Sequence, residues 1–185
     1  MTNKQVKGNS KQKKGSFLKD MLIILLSAIA IATFLKLFIV DSRVVPSSSM
    51  YPTIQIGDRI ILNKLAYLGS LEPERGDIIV CKPPAELNSR YDLVKRIIGL
   101  PGETLEVKNG LVYINGEPIE EDYLNEVPIY TYNQILIPDD CYFLLGDNRN
   151  QSLDSHYWAD PFIDISDIKG KVVGCYWPIS EIGAL

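Results

Sequence analysis

The chain has 185 residues, of which 46% are hydrophobic and 23% charged, with a formal net charge of -4 and one histidine. That length allows one membrane span plus about one domain of ordinary size, long enough to bury a real core. A lone histidine excludes a histidine-rich metal site, and an acidic bulk offers nothing to nucleic acid.

In the first twenty residues Lys4, Lys7, Lys11, Lys13, Lys14 and Lys19 are opposed only by Asp20, a net +5, which leaves -9 for the remainder. Lysines beside a span are retained inside, so residues 1–20 are predicted to be a basic cytoplasmic tail and the acidic remainder to be exported. Residues 21–40 form an apolar run with one charge, Lys36. About twenty residues make roughly 30 Å of helix, enough to cross a bilayer, and Lys36 is close enough to the outer end to snorkel to the interface. A cleaved signal peptide is the rival reading. Ala28-Ile29-Ala30 has the small-x-small form, but it lies inside the apolar run and not after it, which favours a retained anchor.

Pro46-Ser47-Ser48-Ser49-Met50-Tyr51-Pro52-Thr53 follows. Two prolines stiffen this stretch and bias it away from helix, which suits it either to hold a serine nucleophile or to serve as a polar linker. Beyond it the chain reads as short strands: residues 59–62, 77–80, 93–98, 134–137, 142–145 and 172–176. Residues 105–114 give the clearest element. Asn109-Gly110 supplies the two positive-φ residues of a type I′ turn, so Val107 should face Val112 and Leu105 should face Ile114; Asn115-Gly116 repeats the signal. No long amphipathic helix and no repeat follow residue 40. The 41–185 region is therefore predicted to be a mainly β domain. Cys81, Cys141 and Cys175 are too far apart for a zinc pattern and odd in number, and Cys81 and Cys175 read as strand core.

If 93–98 is a strand, its period of two places Lys95 on the face of Leu93 and Ile97. Loss of solvation there lowers a lysine pKa, as a general base near neutral pH requires, whereas an exposed edge lysine merely blocks aggregation. Lys64 competes on spacing alone. Residues 143–158 pass abruptly from an apolar run into Gly146-Asp147-Asn148-Arg149-Asn150-Gln151-Ser152-Leu153-Asp154-Ser155-His156, the pattern of a rigid loop after a core strand or of a capped turn. With His156 and either Asp147 or Asp154, a Ser-His-Asp triad is also possible on paper.

Taken together these stretches resemble the bacterial type I signal peptidases, in the branch with a single N-terminal span. Pro46 to Thr53 matches the nucleophile motif, Lys95 to Gly102 the lysine motif, Gly57-Asp58 through Lys64 a third box, and Gly146 to Ser155 a fourth, in the family's order. The resemblance implies a signal-peptidase-like β domain and a membrane-bound serine endopeptidase that removes N-terminal signal peptides after a small-x-small motif. It implies Ser49 as nucleophile and Lys95 as general base. Ser47 would help the Ser49 N–H form the oxyanion hole, and Ser152 would orient the lysine. Arg96, Asp147 and Asp154 would brace the site by ion pairing. No cofactor or metal is implied. Partners would be preprotein signal peptides, bound as an added strand, the lipid bilayer and export machinery. The nucleophile would lie about nine residues beyond Val40, close to the outer face.

The chain departs from the family pattern at His156, where arginine is usual and pairs with the aspartate of the Gly-Asp-Asn box. A histidine would hold Asp147 fully only when protonated, which predicts an active enzyme less tightly braced at alkaline pH. Ala159 stands where glycine commonly follows the tryptophan. The alternatives are a catalytically weak, membrane-anchored peptide-binding protein of the same fold, against which intact Ser49 and Lys95 speak, and a self-cleaving Ser-Lys repressor, which would carry a DNA-binding helical module in place of the span.

Overall fold

In a computed structural model, residues 10–185 are described, with side chains from Phe17 onward. Residues up to Ile39 and residues from Val40 on form two compact units. The expected tail falls partly outside the described residues. In the first unit, α1 spans Ser10–Phe38, and its segment Phe17–Phe38, 22 residues of mean hydropathy 2.5, is long and apolar enough to cross a membrane. The helix stops short of the predicted boundary: Phe38 ends it and Val40 already opens a strand.

The second unit is mainly β. Its strands in chain order are β1 (Val40–Val44), β2 (Arg59–Asn63), β3 (Ile78–Cys81), β4 (Leu93–Gly99), β5 (Thr104–Lys108), β6 (Leu111–Ile114), β7 (Glu117–Pro118), β8 (Tyr132–Leu136), β9 (Cys141–Leu145), β10 (Phe162–Asp164), β11 (Ile168–Trp177) and β12 (Gly183–Ala184). They form two antiparallel sheets among the described residues. The larger runs β1-β2-β11-β3-β4-β9-β10, with β12 on β11, and the smaller runs β7-β6-β5-β8. The β5–β6 hairpin has the predicted register, Leu105 opposite Ile114 and Val107 opposite Val112. Asn109 and Gly110 both have positive φ, 52° and 77°, as a type I′ turn demands.

Three apolar clusters explain why the central strands read as continuous hydrophobic runs instead of alternating ones. Ile78 and Val80 face one cluster with Val45, Met50, Ile54, Ile60, Leu62 and Val172. Ile79 and Cys81, on the other face, join Ile97, Tyr142, Leu144, Trp158 and Ile163. The remaining cluster fastens the two sheets: Ile98, Phe143 and Leu145 of the large sheet pack on Leu105, Val107, Val112 and Ile114 of the small one. A strand covered on both faces has no solvent side on which to place polar residues. Cys81 and Cys175 are buried, as strand-core residues should be.

Candidate active site

The serine segment is held from below by its own apolar residues. Met50 and Ile54 are fully buried in the cluster containing Val45, and two main-chain bonds, Tyr51 N to Ser48 O at 3.1 Å and Ile54 N to Met50 O at 2.9 Å, curl the chain into turns. The Gly57–Asp58 box closes the base: Gly57 N donates to Val45 O and Val45 N to Asp58 O, each at 2.9 Å. Burial of Met50 thus fixes where Ser49, only 9% exposed, can stand. Ser47 Oγ lies 3.4 Å from Ser49 Oγ.

Lys95 projects from the interior of β4 on the face of Leu93 and Ile97, as its position in the sequence predicts, and is 3% exposed. Burial lowers its pKa from the ordinary lysine value, against the opposing pull of Asp154, Cys81 and Asp147. Cys81 is no competing nucleophile, because burial pushes its thiol up to about 12. Lys64, by contrast, follows β2, is half buried, and lies with its backbone beside Gly170 of β11.

Gly146 is where the serine segment and the polar loop meet. In the β4–β9 ladder Arg96 is paired with Leu145, the last residue of β9; Lys95 and Gly146 are the next residues along their chains. A methyl group on Gly146 would collide with both the Ser152 hydroxyl and the Ser49 carbonyl; only a glycine lets the three segments approach so closely. Asn148 then ties the loop to the serine segment, its N–H donating to Ser49 O and its Nδ2 to Ser48 O, both at 3.1 Å.

Charged side chains surround this junction in pairs. Arg96 forks onto Asp147, Nε to Oδ1 at 2.8 Å and Nη2 to Oδ2 at 2.6 Å, and Thr53 Oγ1 donates to the same Asp147 Oδ2 at 2.5 Å. Asp154, fully buried, accepts the Gly146 N–H at 2.8 Å and meets His156 Nδ1 at 2.5 Å. Arg96 and Asp147 are therefore paired with each other, and Asp154 with the Gly146 N–H and His156.

The partners of His156 and Ser152 differ from expectation. His156 pairs with Asp154 and not with Asp147, because its ring is stacked on Tyr130 (centroids 4.0 Å apart, 2° between planes) and points back along its own loop. The expected alkaline loosening of Asp147 loses its premise, since a guanidinium holds that carboxylate. Among the described residues His156 Nε2 meets no hydrogen-bond partner, so no serine there completes a triad. Ser152 is 2% exposed and borders Gly146, yet among the described residues its hydroxyl has no hydrogen-bond partner, so the expected bond to Lys95 is not formed. Arg149, Glu121 and Tyr123, which the sequence left without a role, also gather here. Arg149 stood inside a matched box, but Glu121 and Tyr123 lie in an acidic connection with no distinguishing pattern.

The sequence profile of the family described as "Signal peptidase, peptidase S26" matches residues 18–177. The chain belongs to that family. Of its curated relatives, "Probable signal peptidase I-2" of Synechocystis sp. is 39% identical over 191 residues, covering 100% of this chain and 86% of that protein. "Signal peptidase I" of Leptolyngbya laminosa is 39% identical, covering 85% and 79%, and that of Bacillus caldolyticus 36%, covering 83% and 88%. The matched stretch contains the serine segment, β4 and the loop through His156.

Proposed function

We propose that this signal peptidase removes N-terminal signal peptides from exported preproteins after a small-x-small motif, with Ser49 as nucleophile and Lys95 as general base. The observation that carries the reading is the packing of Ser49 and Ser152 on Gly146, next in chain to the residue paired with Arg96, together with the burial of Lys95, which precedes Arg96. A serine hydroxyl is a weak nucleophile at its own pKa, and an amine made neutral by burial can take its proton.

Ser49 Oγ attacks the scissile carbonyl as Lys95 Nζ accepts the hydroxyl proton. The oxyanion is held by the Ser49 N–H and the Ser47 hydroxyl; such a donor is worth roughly 2.7–4 kcal/mol in another serine protease. Collapse returns the proton from Lys95 to the departing amine and leaves an acyl-enzyme on Ser49. Lys95 then deprotonates water, which hydrolyses the ester. Arg96, Asp147 and Asp154 hold the loop that positions these groups, and Ser152 fills the space beside the lysine's strand. The apolar segment Phe17–Phe38 anchors the enzyme. The basic tail, residues 1–20, remains cytoplasmic; residues 41–185 act outside, where export machinery delivers the substrate.

Cleavage of a preprotein carrying Ala-x-Ala, assayed in detergent with wild type, Ser49→Ala, Lys95→Ala and His156→Ala, tests the assignment. Loss in the first two variants with cleavage kept in the third is expected. Activity that survives Lys95→Ala but not His156→Ala would replace the dyad with a triad.

A further inference from the structure

The segment that follows β7 reaches out of the small sheet and holds the catalytic loop. Arg149 is fully buried and forks onto Glu121, Nη1 to Oε2 and Nη2 to Oε1, each at 2.7 Å. Its remaining nitrogen, Nε, donates to the Gly146 carbonyl at 3.1 Å. The Glu121 side chain is 6% exposed. Tyr123 completes the group: its hydroxyl donates to Glu121 Oε1 at 2.6 Å and accepts from Arg149 Nη2 at 3.3 Å. The face of the same ring lies 3.9 Å from the guanidinium carbon of Arg96, the arginine that grips Asp147. Residues 121 and 123 therefore support both arginines that fix the consecutive residues Gly146 and Asp147.

We infer that Glu121, with Tyr123, is a positioning element for the peptidase reaction, acting through Arg149 on Gly146 and through Arg96 on Asp147; the inference rests on the Ser49–Lys95 reading. Two cations and two anions balance inside one buried cluster, so each carboxylate has a guanidinium partner with fork geometry. Gly146 has Asp154 on its N–H and Arg149 on its carbonyl, which leaves its peptide planes little freedom to turn. Ser49 and Ser152 pack directly on that glycine. A shift of Gly146 therefore displaces Ser49, which packs on it. Misplacement by about 1 Å at a reacting centre can cost about 100-fold in rate.

The test uses full-length enzyme in detergent, with Glu121→Gln, Arg149→Lys, their double variant and, as a stability control, Val112→Ala, a cavity in the cluster between the sheets. Every enzyme is assayed at a temperature where circular dichroism shows it folded, with Ser49→Ala as the inactive reference. Glu121→Gln and Arg149→Lys are each expected to lower kcat by about tenfold to 100-fold with KM within about twofold. The double variant should be no slower than the worse single one, because the two residues act as one unit. Val112→Ala should keep its kcat despite a lowered Tm. Wild-type kcat in Glu121→Gln, or an equal loss of kcat in Val112→Ala, overturns the inference while leaving the dyad standing; cleavage by Ser49→Ala overturns the dyad itself. If Glu121→Gln does not fold, Tyr123→Phe removes one hydroxyl only: a several-fold lower kcat at unchanged KM supports the inference, and wild-type kcat overturns it.

Discussion

Lys95 sets the character of the site because its burial acts on chemistry and on stability in opposite directions. Its pKa is lowered in the folded state, while in the unfolded chain it titrates near the ordinary value of about 10.4. Between the folded and unfolded pKa values the unfolded chain binds more protons, so stability rises with pH across that window and the burial penalty is full below it. Lys95→Met should therefore raise stability, with the largest gain below the folded pKa and a gain that shrinks as pH climbs toward the unfolded value. Urea unfolding of both proteins from pH 6 to 10 measures this, and a gain that grows with pH would contradict it. Gly146 is the second critical residue. Gly146→Ala should lose nearly all activity and destabilise by roughly 1–3 kcal/mol, the usual cost of overpacking, because one colliding partner, the Ser49 carbonyl, is backbone and cannot rotate away. Wild-type cleavage by that variant would show that the loop gives way more easily than its packing suggests.

Elements explain which parts of the site were legible. The β5–β6 hairpin was readable to the residue, because Asn-Gly fixes its turn and the turn fixes its register. Lys95 was readable as a residue among apolar neighbours because strand periodicity is local. The braces were harder. Asp147 and Asp154 were visible as members of a polar loop, but which cation each one meets depends on the approach of segments that are distant in the chain, such as Arg96 to Asp147 and Thr53 to Asp147. His156 shows the same limit, since its choice of Asp154 is fixed by stacking on Tyr130. Glu121 was invisible, being one of three consecutive acidic residues whose partner lies 28 residues away. β1 was hidden by the apolar run it continues. Asp147→Asn would leave Arg96 with an uncompensated buried charge, and a loss of about 3–5 kcal/mol is expected by chemical denaturation; a change below 1 kcal/mol would mean that the pair contributes no more than a surface contact.

At the scale of the whole molecule, the apolar helix is long enough to cross a membrane, and the β unit carries the proposed site. All three apolar clusters lie within residues 45–172, so the β unit holds its own core. A fragment of residues 40–185 should accordingly fold and cleave a short soluble peptide at a rate within a few-fold of the full chain. It should process a membrane-inserted preprotein far more slowly, because the two-dimensional confinement supplied by the anchor is gone. Unfolded fragment by circular dichroism would show that the β unit depends on the helix.

The central claim is that a buried Lys95, its pKa lowered by that burial, activates Ser49, and the pH dependence of kcat/KM tests it most directly. The account predicts that cleavage by wild type rises with pH through one ionisation whose midpoint lies below the ordinary lysine value of about 10.4, and that Lys95→Ala loses both the activity and that ionisation. A midpoint at or above the ordinary value, or the same rising limb in Lys95→Ala, would contradict it.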